Sequence, residues 1–125
     1  MKKSSILSLT ALSMLVACAS PYAGNPAKTE MGMLTNPSGM TLYVFDKDAA
    51  NAGKSVCNGE CAVKWPPLVA SVADKAHGDY SIITRDDGSR QWAYKGKPLY
   101  RWFKDQKPGD TTGDGVNNVW HVAKP

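Results

Sequence analysis

The chain has 125 residues and carries a formal charge of +4, with 42% hydrophobic and 9% aromatic residues. That length holds one domain with one core. The charge is too small, and too free of Lys or Arg runs, for a nucleic-acid-binding protein.

The first element is an export signal. Lys2 and Lys3 form a basic start, followed by the apolar run "SILSLTALSMLVA", which is too short to span a bilayer. The run ends in "LVAC", Leu15 to Cys18, which is similar to the lipobox of bacterial lipoproteins. That likeness implies cleavage after residue 17 and acylation of Cys18, so that the membrane, reached through an N-terminal lipid, becomes the first partner. Ala19, where Asp commonly marks inner-membrane retention, implies release to a Gram-negative outer membrane. Residues 18–30, small and polar with two prolines, read as a tether, and residues 31–125 as the folded domain.

In the domain, "MGMLTNPSGMTLYVF" predicts strand, turn and strand, with Asn36-Pro37-Ser38-Gly39 as the turn. Glu60 to Trp65 is the one helical stretch, stopped by Pro66-Pro67. "YSIITRDDGSRQWAYKGKPLYRWF" predicts a three-stranded meander turning at Asp86-Asp87-Gly88 and at Lys95-Gly96. "NVWHVA" predicts a last strand. The fold class is therefore mostly β with one short helix.

A phrase occurs twice. "TLYVFDKD" supplies Tyr43, Phe45 and Asp48, and "PLYRWFKD" supplies Tyr100, Trp102 and Asp105. Each is followed by a Gly- and Asp-containing loop and a Trp, Trp65 or Trp120. The pattern predicts two pseudo-symmetric units, about 31–70 and 80–125, from an internal duplication. Alternate strand side chains share a face, so Tyr43 with Phe45, and Tyr100 with Trp102, are expected to pack into a core between the units. An exposed aromatic platform is the competing reading. Asp48 and Asp105 are expected to accept hydrogen bonds from the loop that follows each strand. A catalytic carboxylate pair is the sharper alternative, without support from spacing.

These residues resemble the predicted bacterial lipoproteins with a Yx(F/W/Y)xxD motif, the secreted repeat of unknown function. "CNGECAVKWPPL" and "GDTTGDGVNNVWHVA" also look like that family, and the likeness runs from Met33 to Ala123. It implies the two-repeat fold and brings no activity, cofactor or catalytic residue.

Cys57 and Cys61 form a C-x-x-x-C, for which an oxidising envelope predicts a disulfide. A redox-active pair, or a metal site formed with His77 and His121, is the alternative, although the spacing matches no zinc finger. "GDTTGDG" lacks the closing Glu of a calcium loop, and "AGKS" lacks the first Gly of a P-loop. No nucleophile–base set is recognisable, and no cofactor is expected. The expected function is a non-enzymatic binding or scaffolding lipoprotein of the cell envelope, using loops Ala49–Glu60 and Gln106–Asn118 toward an unidentified envelope protein or ligand. The alternative is a periplasmic redox or metal-handling accessory using Cys57 and Cys61.

Overall fold

The computed structural model describes residues 25–125, so the stretch read as an export signal, and Cys18, lie outside the described residues. Among these residues eight short strands and one α-helix follow in the order β1 (Lys28–Glu30), β2 (Met33–Thr35), β3 (Tyr43–Phe45), α1 (Glu60–Lys64), β4 (Val69–Ala70), β5 (Tyr80–Thr84), β6 (Arg90–Tyr94), β7 (Lys97–Pro98) and β8 (Trp120–Val122), with a short 3-10 turn at Val116–Asn118 before β8. The fold begins earlier than Met31. Ala27 is buried, and Lys28–Glu30 pairs antiparallel with Met33–Thr35, so the end of the stretch read as tether belongs to the domain. Its polar side chains concealed a strand because pairing, not side-chain burial, holds it: all three residues are exposed.

The turns follow their residue chemistry. Asn36 Oδ1 accepts from the backbone N–H of Ser38 at 3.0 Å and of Met40 at 2.9 Å, an Asx turn closed by Gly39 at positive φ. Lys95 and Gly96 both have positive φ, as a tight hairpin turn requires, and join β6 to β7. β6 is the centre of the largest sheet, with β5 on one side and β4 and β7 on the other. Gln91, Trp92 and Ala93 are accordingly buried on both faces. Gln91 resolves its polar side chain by donating to the Leu99 carbonyl at 2.7 Å and accepting from Arg85 Nη1 at 2.6 Å.

The duplication is visible in backbone hydrogen bonds. Leu42 N–H bonds to the Leu34 carbonyl and Ala123 N–H to the Leu42 carbonyl; Leu99 N–H bonds to the Trp92 carbonyl and Leu68 N–H to the Leu99 carbonyl. Tyr43 and Tyr100 face each other and exchange both backbone hydrogen bonds, at 2.7 and 3.0 Å. Two equivalent residues can pair reciprocally only where an approximate two-fold axis passes between them.

β3 lies between two cores. Leu42 and Leu99 turn to one side, with Leu34, Trp92 and Tyr80. Tyr43 and Tyr100 turn to the other, with Trp65, Trp102, Trp120 and Cys57. The non-aromatic face of the motif strands is thus buried at its leucines, half-buried at Val44 and Arg101, and open to solvent at Phe103, which is 51% exposed.

Candidate functional site

The repeated Tyr and Asp are used across the repeats. The Tyr43 hydroxyl donates to Asp105 Oδ2 at 2.6 Å, and the Tyr100 hydroxyl donates to Asp48 Oδ2. Each tyrosine therefore closes on the carboxylate of the other unit. The second oxygen of each carboxylate holds the loop that follows it. Asp48 Oδ1 accepts from Val56 N–H at 2.8 Å, and Asp105 Oδ1 from Thr112 N–H at 2.9 Å and Thr112 Oγ1 at 2.7 Å. Loop groups complete each phenol. Ser55 Oγ lies 2.6 Å from the Tyr100 oxygen, and Gly113 N–H donates to the Tyr43 oxygen at 3.2 Å.

Both tyrosines are 0% exposed, and Asp48 and Asp105 are buried. Burial and the carboxylate partner push both phenols well above their ordinary value of 10.0. Burial also raises Asp48 above 3.8, against hydrogen bonds from Tyr100 and Val56 and the positive field of Arg85. The two phenols hold their protons in the folded state, and all four side chains are shielded from solvent. Ser55, Thr112 and Gly113 did not emerge from the sequence. The signal for them is the matched distance from each Asp to its loop donor, eight residues to Val56 and seven to Thr112.

The aromatic residues form a continuous ladder. Phe45 stacks on Trp120 with centroids 4.1 Å apart, Trp120 on Trp65 at 3.7 Å, and Trp65 on Trp102 at 4.0 Å. Trp65 and Trp120 meet at the same approximate axis as the tyrosines. Tyr43 and Tyr100 each set an edge against the Trp of their own unit, at 5.4 and 5.1 Å. Gly113 is required by this ladder, because a Cβ there would lie 2.8 Å from Trp102 and 2.9 Å from Trp65.

Cys57 and Cys61 are joined in a disulfide, with Cys57 fully buried and Cys61 partly exposed on α1. The main chain of Cys57 is held on both sides. Its N–H donates to Ser55 Oγ at 3.0 Å, and its carbonyl accepts from the buried Arg85 guanidinium. The histidines are placed apart from the pair. His121 bonds to Asp46 at 2.7 Å, and His77 lies 3.1 Å from Asn25. Among the described residues no group of three or more His, Cys, Asp or Glu could hold a metal ion.

Open cavities lie on the surface of the described residues. One of about 500 Å³ lies beside Arg85, Asn58 and Asp86. Another, about 440 Å³, crosses the two units, with Phe45 and Lys47 from the first motif, Cys61 and Lys64 from α1, and Asn117 and Trp120 from the second unit. Lys47, Lys64 and Glu60 line this groove and make no ion pair with the described residues. Asn117 is held at φ 52° in the left-handed region.

Fold and site together define a duplicated, disulfide-bonded β protein with motif residues interlocked inside. The chain belongs to the family described as a secreted repeat of unknown function, whose profile matches residues 26–69 and 81–124. Comparison with curated proteins and with solved structures found no match. Among the described residues no helix is long and apolar enough to cross a membrane.

Proposed function

We propose that this secreted repeat protein is a lipid-anchored module of the cell envelope with a binding, non-catalytic role, and that the groove across its two units is the recognition surface. The observation that carries this reading is the internal use of both motifs. Tyr43, Asp48, Tyr100 and Asp105 satisfy one another in the interior, so the repeated residues are a scaffold. What faces outward is the groove, supplied by Phe45 and Lys47 of the first motif, by α1 and by the end of the second unit at Asn117 to Trp120, and its volume falls in the range of small-ligand sites. Loops positioned by a rigid β scaffold are where recognition is commonly located. Acylation at Cys18 would hold this surface near a membrane, in keeping with the "LVAC" ending of the leader, and Ala19 favours the outer one.

A photo-cross-linking residue placed at Lys64 or Asn117 in living cells tests the groove, with Asp79 on an exposed turn as control. The reading requires a discrete adduct from the groove positions and none from Asp79. Equal labelling from all three positions, or none, refutes it. Metabolic labelling with palmitate tests the anchor separately: the label should be lost in Cys18→Ala, and label retained by that variant refutes acylation there.

A further inference from the structure

We propose that the Cys57–Cys61 disulfide is a thiol–disulfide exchange site, and that a dithiol partner protein attacks it at Cys61 through the groove. The two sulfurs stand in different surroundings. Cys57 is 0% exposed and packs with Trp65 and Trp120, whereas Cys61 borders the open groove. Cys57 is closed to an incoming thiolate, and the Cys61 side is the one that faces the groove. Lys47 and Lys64 line the same groove without an ion-pair partner among the described residues. Against the single carboxylate of Glu60 they leave the groove with a net positive charge, which draws the attacking thiolate and stabilises it on approach.

The exchange balances in two steps. A thiolate of the partner attacks Cys61 Sγ, a new S–S bond forms, and the Cys57–Cys61 bond breaks. The electron pair goes to Cys57 Sγ, which leaves as thiolate and takes a proton from water. The partner's second thiolate then attacks its own first sulfur, closing the partner's disulfide and releasing Cys61. Two electrons pass from the dithiol to this chain.

The chain is arranged to survive that reaction. Ser55 and Arg85 hold the Cys57 main chain independently of its sulfur, so Cys57 stays in place for reoxidation. Release of Cys61 frees α1 from the Ser55–Cys57 segment, which caps the Tyr100–Asp48 contact. The second unit has no equivalent bridge, since Thr112 and Val116 occupy the matching positions. The device thus acts on one unit only. The route of attack is the groove proposed above for recognition, but the exchange is read with glutathione alone and needs no envelope partner, so the two readings fail separately.

The test uses the full chain carrying Cys18→Ala, which leaves the pair as its only cysteines. The native protein is exposed briefly to reduced glutathione, quenched with a maleimide, and mapped by peptide mass spectrometry. Glutathione on Cys61 together with maleimide on Cys57 is the expected result. Glutathione on Cys57, equal adducts on both sulfurs, or reaction only after unfolding in denaturant overturns the proposal. In a Lys47→Glu, Lys64→Glu variant the native-state rate should fall several-fold while the rate in denaturant is unchanged. A native rate equal to that of the parent refutes the groove as the route of attack.

Discussion

Replacing Tyr43 by Phe keeps the ring against Trp65 and removes only the hydroxyl. Asp105 Oδ2 then loses its 2.6 Å donor, and Gly113 N–H loses its acceptor. A hydrogen bond to a charged group contributes about 1.5–3 kcal/mol, and a buried N–H left unpaired adds a further cost. Asp105 keeps Thr112 on its other oxygen, which limits the loss. The expected destabilisation is about 2–4 kcal/mol, or roughly 10–25 °C in Tm for a domain of this size. Urea unfolding followed by tryptophan fluorescence measures it, with an unchanged m value if both units unfold together. A double-mutant cycle then identifies the partner. Tyr43→Phe should couple to Asp105→Asn by about 1–3 kcal/mol and be additive with Asp48→Asn within about 0.5 kcal/mol. Coupling to Asp48 in place of Asp105, or a Tyr43→Phe loss below about 0.5 kcal/mol, would refute the exchanged pairing.

Gly113→Ala should destabilise by about 1–3 kcal/mol through overpacking against Trp102 and Trp65, read as a lower urea midpoint; a neutral result would mean that the ladder yields. Trp65→Ala, which removes a central rung, should cost about 3–5 kcal/mol by calorimetry. Stability should fall as pH rises above 10.0, because the unfolded chain releases the phenolic protons of Tyr43 and Tyr100 there while the fold retains them. The contribution is fully present below that pH and is lost toward the raised folded values, so a flat urea midpoint across the alkaline range contradicts the buried neutral phenols. Asp48, raised above 3.8, acts in the same sense at acid pH: its protonated form is favoured in the fold, so its contribution is present below 3.8 and declines as pH rises through its folded value, which a comparison with Asp48→Asn isolates.

What could be read from the sequence was local or repeated. Asn36–Gly39 and Lys95-Gly96 announce their turns because positive φ and Asx bonding depend on the residues themselves. The helix at Glu60–Lys64 is confined by Gly59 and by Pro66-Pro67. β1 and β4 were illegible: three exposed polar residues and a Val-Ala pair become strands only when β2 and β6 lie beside them. The duplication shows which residues are equivalent, and equivalence does not say which residues touch. Tyr43 was placed beside Asp48 in one phrase, yet the axis between the units delivers it to Asp105. The groove was hidden for the same reason. Lys47, Lys64 and Asn117 lie in three separate segments and share a rim only after the units close on each other.

The exchanged phenol–carboxylate contacts also bear on how such a protein could arise. One unit alone would display a buried-type tyrosine with no acceptor and an aspartate with no phenol, each costly to leave dry. A chain with a single unit reaches the same satisfaction only by meeting a second copy of itself, tyrosine to aspartate both ways around a true two-fold axis. Fusing two copies end to end makes that meeting intramolecular, at a high effective concentration. Once fused, the halves are free to diverge, and the disulfide of the first unit, absent from the second, records that freedom.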